Sequence, residues 1–403
     1  MPFRFQSIRP LVVFGVIPLL LIFSSLAASS TSPAFFGTGD PANPDFIRSF
    51  AEEVSGDGRT VLGRSTSGAQ RAFGFDVETR TATLLPRGEP TDDVRFPYLL
   101  SANGLSFDGR IVAGNTPFVG RSFPGFIEDG QFNILSDPEP SAGYAAWGLT
   151  AVSGDGSVMV GTGFSTFNQG FIFDRSTGTY TLVPDPSGGR ERSAAAGVSA
   201  DGRFVVGLGD GIGSANTAFL IDRQQNNAFR VLPGFVGGAG PLTQPAISAD
   251  GSTIVGAANA GQGNVAARHD RATGITLPLD TAADTQRFSI ARAASGDGSV
   301  IVGYTGVAFA PDQSAFVWTE ASGLTAVADL LATLGLSDAL AGWTLTEARD
   351  ISDDGTVIVG YGTNPDGRDE GWVAVIPEPT ALGLLFALTC FTRLRGKDSS
   401  HGG

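Results

Sequence analysis

A single cysteine, Cys390, excludes a disulfide scaffold. Two histidines, His269 and His401, are too few for a His-rich zinc site in the body of the chain, since His401 stands beside the C-terminus. A Ser-His-Asp triad would have to use His269. The one lysine, Lys397, leaves the body without a Schiff-base or P-loop lysine. Basic residues are scarce overall, 26 Lys and Arg against 40 Asp and Glu, the reverse of what a phosphate backbone attracts. Glycine is plentiful, 56 of 403 residues, but without the every-third spacing of collagen. With 42% apolar residues the chain can build a core, which excludes a disordered polymer.

Long apolar runs are confined to the two ends. At the start, Arg4 and Arg9 precede an uncharged stretch from Leu11 to Phe23, and Ser25-Leu26-Ala27 supplies small residues for cleavage. Residues 1–27 therefore read as a secretory signal peptide. At the other end Pro377-Glu378-Pro379 precedes an uncharged run, Ala381 to Thr392, then Arg393, Arg395 and Lys397. Two prolines cannot continue a strand or helix. The apolar run can enter a bilayer while the basic cluster stays cytoplasmic. A polar tail, residues 398–403, follows. Without both ends, residues 28–379 hold 21 basic and 39 acidic residues, net −18, with no Lys, no Cys and one His.

Between the ends lies a repeat. Ser-x-Asp-Gly occurs seven times, with Asp57, Asp108, Asp155, Asp201, Asp250, Asp297 and Asp354 spaced 51, 47, 46, 49, 47 and 57 residues apart. A glycine stands six residues after each Asp: Gly63, Gly114, Gly161, Gly207, Gly256, Gly303 and Gly360. Asp-Gly signals a tight turn. The β-branched triplets that follow, such as Val300-Ile301-Val302 and Val357-Ile358-Val359, read as strands buried on both faces, and the glycine as a site of close backbone approach. A second strand signal, a small residue plus an aromatic, comes 10–13 residues on from that glycine: Ala72-Phe73, Gly125-Phe126, Gly170-Phe171, Ala218-Phe219, Ala315-Phe316 and Gly371-Trp372. The fifth copy departs, with Ala266-Ala267 before His269.

Four short strands in about 47 residues is the size of a propeller blade. The expected fold is all-β: a seven-bladed β-propeller of four-stranded blades over residues 33–376, plus apolar helices at the termini. An open β-solenoid would have shorter coils and need capping units. The seventh unit lacks a fourth strand, and Pro33–Gly37 sits where one belongs, so the N-terminal strand should close the last blade. Val327, Leu330, Leu331 and Leu334 predict a short helix within Ala326–Ala341.

The C-terminal order of Pro-Glu-Pro, apolar run and Arg cluster, residues 377–397, resembles the PEP-CTERM sorting tag of exported bacterial proteins. The likeness implies Pro377, Glu378, Pro379, Arg393 and Arg395 as the sorting motif and an exosortase-type membrane transpeptidase as partner. Residues 50–375, most clearly Gln313–Trp318 and Asp353–Gly360, resemble HAF-type repeats of exported proteins, which implies a surface or extracellular protein and no catalytic residue. The resulting expectation is an exported, non-catalytic, monomeric cell-surface or matrix protein. It would be held transiently at the inner membrane by its C-terminal helix, then exposed at the surface or outside the cell. No cofactor, metal or nucleic acid is expected. The alternatives are a propeller that binds exopolysaccharide or other surface glycans through loop aromatics such as Phe118, Phe123 and Trp147, and a polysaccharide hydrolase or lyase in the channel.

The seven aspartates read as structural turn residues, similar to the Asp-box hairpins of sialidase-like propellers. His269 occupies a slot that other copies fill with Phe75, Phe173 and Trp318. Asn364–Glu370 gathers oxygen ligands suited to calcium but lacks EF-hand spacing, so it reads as a solvated loop. Adjacent acidic residues, Asp92-Asp93 and Glu52-Glu53, give no evidence of the facing carboxyls that glycoside hydrolysis needs.

Overall fold

A computed structural model describes residues 32–43, 48–66, 70–87, 99, 101–118, 121–135, 147–163, 169–184, 193–210, 216–237, 244–259, 264–280, 287–307 and 312–378. The signal-peptide segment, Pro379, Arg393, Arg395 and the apolar C-terminal run lie outside them.

Strand β1 is Ala34–Gly37. The chain then builds units of antiparallel strands. The first is β2 (Ser49–Val54), β3 (Thr60–Ser65), β4 (Arg71–Asp76) and β5 (Thr81–Leu84). The second is β6 (Ser101–Leu105), β7 (Ile111–Phe118), β8 (Arg121–Glu128) and β9 (Gln131–Ile134). The third is β10 (Trp147–Val152), β11 (Val158–Gly163), β12 (Gln169–Asp174) and β13 (Thr179–Leu182). An eight-stranded sheet follows, with β14 (Ser193–Val198), β15 (Phe204–Asp210), β16 (Asn216–Asp222), β17 (Ala228–Gly237), β18 (Ala246–Ile247), β19 (Thr253–Asn259), β20 (Asn264–Asp270) and β21 (Ile275–Pro278). Its two halves, the fourth and fifth units, are joined through one residue pair, Phe235 opposite Ala258. The sixth unit is β22 (Arg287–Ala294), β23 (Val300–Val307), β24 (Ser314–Thr319) and β25 (Gly323–Ala326). The last is β26 (Thr344–Ile351), β27 (Val357–Thr363) and β28 (Asp369–Val375), completed by β1, whose Ala34 faces Val375 and Gly37 faces Trp372.

The triplets pack as their sequence predicts. In β27, Val357 and Val359 join Val61, Phe73 and Phe75 of the first unit, whereas Ile358 faces Val300, Val302 and Val317 of the sixth. Neighbouring units share such apolar clusters, and the last unit packs on the first. This double-sided burial provides the main driving force for the ring.

Each turn repeats one hydrogen-bond scheme. The serine Oγ donates to the Asp Oδ1 at 2.6–2.9 Å in all seven copies. The same Oγ accepts the N–H five residues on at 2.9–3.0 Å. The carboxylate accepts the N–H two residues past itself. The motif glycine takes φ of 68–72° every time, where a side chain would be strained. Burial pushes up the carboxyls of Asp108, Asp155 and Asp297, but these hydrogen bonds outweigh it and hold them below the usual range.

The turns also bond to one another. Asp57 N donates to Phe107 O, Phe107 N to Gly154 O, Asp155 N to Ala200 O and Ala200 N to Ala249 O. Asp250 N then donates to Gly296 O, Gly296 N to Asp353 O, and Asp353 N to Gly56 O, all at 2.8–3.0 Å. The seven turns thus form a closed circuit. We expect Ser199→Ala to cost about 1–3 kcal/mol, read from the urea midpoint, because it strands the buried Phe204 N–H.

The helix is shorter than the sequence suggests. It covers α1 (Val327–Thr333), and Gly335, at φ 83°, ends it. Leu336 N bonds Leu331 O and Gly335 N bonds Ala332 O, a Schellman cap.

Candidate functional site: the axial channel

The innermost strand of each unit carries a β-bulge or stops short, and this decides what faces the axis. The register skips one residue at Glu52, Asn103, Thr150, Ala196, Arg292 and Arg349, each three positions before the motif serine. In the fifth unit Pro245 holds that position, just outside the two-residue strand β18. A bulge re-aims its extra residue, and here these seven border one axial cavity of about 380 Å³. The glycine six residues after the Asp makes room for the bulged strand. A Cβ on Gly114, Gly161, Gly207, Gly303 or Gly360 would lie 2.0–2.1 Å from an inner-strand carbonyl oxygen, closer than any real contact.

The cavity wall is cationic on one side. Arg292 Nε donates to Glu347 Oε1 at 2.6 Å. Arg349 Nε lies 3.3 Å from the same oxygen and 3.6 Å from Glu52 Oε2. Arg64 donates to Glu52 Oε1 at 3.0 Å, and Tyr361 donates to Glu347 Oε2 at 3.2 Å. Arg292 stands over Tyr304 and Arg349 over Tyr361, each 5.3 Å from the ring centre. Burial pushes the Tyr361 hydroxyl up to about 12, with Glu347 adding to it, so it stays a donor. On the opposite side Asn103 Nδ2 donates to Leu149 O at 2.8 Å and Thr150 Oγ1 to Ala195 O at 2.6 Å, tying each unit to the next.

Two positions before the serine stand Gly104, Ala151, Gly197, Ala246 and Ala293, but also Glu53 and Asp350. These two half-buried residues set their carboxyls against each other where the last unit meets the first, and Asp350 Oδ2 also accepts Val54 N–H at 2.8 Å. Burial raises Glu53 well above the carboxylate range, with Asp350 and Glu52 adding to it. Burial likewise lifts Asp350 to about 7. The pair therefore shares a proton near neutrality.

The sequence-predicted residues fall elsewhere. The seven motif aspartates do not line this cavity; each is engaged in its own turn. His269 is buried in β20 opposite Ile254, as Phe75 is opposite Val61 and Trp318 opposite Ile301. Its Nδ1 lies 2.9 Å from Thr276 Oγ1, and burial lowers its basicity. Phe118, Phe123 and Trp147 are strand residues of β7, β8 and β10, not loop residues. Asn364 Oδ1 accepts the N–H groups of Asp366 and Arg368, and Glu370 accepts Asn364 Nδ2 and Gly39 N, so the oxygens of these two residues are engaged. Among the described residues no group of three or more His, Cys, Asp or Glu could hold a metal ion. Pro377 is half-buried and Glu378 exposed. Arg64, Arg292, Arg349, Glu347 and the Glu53–Asp350 pair escaped sequence reading; aligning the copies at the columns two and three before the serine would have exposed all but Arg64 and Glu347.

No protein-family model and no curated sequence matches this chain. Among solved structures, it is similar to the β-propeller domain of the Trilobed protease from Pyrococcus furiosus. The identity is 8%, the TM-score 0.52, and the match covers 82% of this chain and 93% of that one. The chain is a β-propeller. That domain is described as having an open velcro topology, whereas here β1 closes on β28. Oligogalacturonate lyase from Vibrio parahaemolyticus is 13% identical, with a TM-score of 0.49 over 86% of this chain and 98% of that one. TolB from Acinetobacter baumannii is 14% identical, with a TM-score of 0.43 over 57% of this chain; the propeller spans about half, 53%, of that chain.

Proposed function

We propose that this β-propeller is an exported, non-catalytic cell-surface or matrix protein, delivered through its C-terminal segment by an exosortase-type membrane transpeptidase. We read the eight-stranded sheet as two blades, which would make the ring seven-bladed. The observation that supports this reading is where the chain leaves the ring. Ile376 is buried and its N–H bonds Thr356 O at 2.8 Å; the next residues are Pro377 and exposed Glu378. Proline cannot pair with a neighbouring strand through its nitrogen, so the Pro-Glu-Pro segment starts where the fold stops and an enzyme can reach it. The repeated Ser and Asp are committed to turns, which suits a scaffold more than a reaction centre.

The test compares the native chain with a Glu378→Ala, Arg393→Ala, Arg395→Ala variant in a host that has the sorting enzyme. The native protein should lose its C-terminal segment by mass and leave the membrane fraction, and the variant should keep both. Identical masses and fractionation would refute the reading.

A further inference from the structure

We infer that the axial cavity binds a compact, hydroxylated monocarboxylate, the chemistry of a sugar acid. The anchoring groups are Arg292 and Arg349, placed side by side by the bulges of adjacent units. Arg292 is held by its inner nitrogen on Glu347, Arg349 by its ion pairs with Glu347 and Glu52, and each lies against a tyrosine face. Their orientation is therefore fixed before any ligand arrives, which lowers the entropic cost of binding. Among the described residues, Arg292 Nη2 and Arg349 Nε are buried without a hydrogen-bond partner. A guanidinium presents a planar fork that matches a carboxylate.

Charge selects the class of anion. Arg64, Arg292 and Arg349 face Glu52 and Glu347, an excess of one positive charge. Glu53 also borders the cavity, but burial beside Asp350 favours its neutral form. One carboxylate balances this excess. A dianion such as sulfate would leave a second charge uncompensated in a confined space, which is costly. The far wall selects hydroxyls. Asn103 and Thr150 already donate to backbone carbonyls, so toward the cavity they offer acceptor oxygens, and ligand hydroxyls supply the donors. A volume of about 380 Å³ suits a small ligand.

Titration calorimetry on the full chain at pH 6 with sodium glucuronate, glucose and sodium sulfate tests this. Glucuronate should bind at least tenfold more tightly than either competitor. Arg349→Gln should weaken it at least tenfold, and Arg349→Lys, which keeps the charge but loses the fork, by less. Asn103→Asp, on the far wall, should also weaken it tenfold by repulsion, and decides the matter if Arg349→Gln does not fold. Absent glucuronate binding, equal binding of glucose, sulfate binding as tight as glucuronate, or a folded variant of either kind with unchanged affinity would overturn the inference. The site does not depend on the sorting segment: a failed titration with normal C-terminal processing removes the site alone.

Discussion

Deleting residues 33–38 should destabilise the propeller by several kcal/mol and lower its melting temperature by roughly 5–10 °C. The segment is short, but it closes the ring. Its β1 hydrogen-bonds β28 along its whole length. Phe35 is buried, with its ring edge-on to Trp343 at 5.3 Å and 6.4 Å from Trp372. Phe36 stacks on Phe75 of the first unit at 5.9 Å, with Arg80 above it at 4.4 Å. Past the strand, Gly39 N donates to Glu370 Oε1. A buried Phe→Ala change typically costs about 3–5 kcal/mol, so Phe35→Ala alone should recover a large part of the loss. The truncation also bares β28 as an unpaired edge, so it should aggregate on heating where the native chain does not. A truncated protein with the native melting temperature would show that the clasp contributes nothing.

What the sequence revealed was local and what it hid was relational. Ser-x-Asp-Gly and its glycine are legible because the turn needs those side chains at those offsets, and every copy repeats them. The clasp is legible because one unit lacks a strand and the chain start supplies one. The channel is not, because its column changes identity from copy to copy: Glu52, Asn103, Thr150, Ala196, Pro245, Arg292, Arg349. Function in a ring resides in such differences, while the repeated residues maintain the scaffold. Adjacency misleads for a related reason. Glu52 and Glu53 point to different places, one toward Arg64 and Arg349, the other against Asp350, since successive strand residues alternate in direction. The facing carboxyls lie some three hundred residues apart and meet only when the ring closes. The helix overran because its apolar spacing continues past Gly335, whose left-handed backbone stops it.

Stability should fall as pH rises from about 4.5 to 7.5, by about 2–4 kcal/mol, with the Glu53–Asp350 pair as the cause. Unfolded, both carboxyls titrate near pH 4. Folded, burial lifts Asp350 to about 7 and Glu53 well above its usual range. Between those limits the folded chain holds a proton that the unfolded chain has released, so raising the pH favours unfolding. Burial raises the neighbouring Asp353 as well, with Asp354 adding to it, and this acts in the same direction. His269, whose basicity burial lowers, opposes this in part below about pH 6.5, and the turn aspartates also act oppositely. Asp108, Asp155 and Asp297 are held low, and their contribution is lost only as the pH drops below about 4. The optimum should therefore lie in the mildly acidic range. Glu53→Gln keeps the shape, can donate permanently to Asp350 and removes one of the two charges, so it should flatten the slope and raise stability at pH 7.5 relative to native. Urea midpoints at pH 4.5, 6 and 7.5 measure both effects. A native chain and a Glu53→Gln variant with the same pH slope would show that the pair does not share a proton. The pair and the clasp tie the same two units, so the seam weakened by rising pH is the one β1 closes, and the truncated chain should lose more of its remaining stability at pH 7.5 than at 4.5.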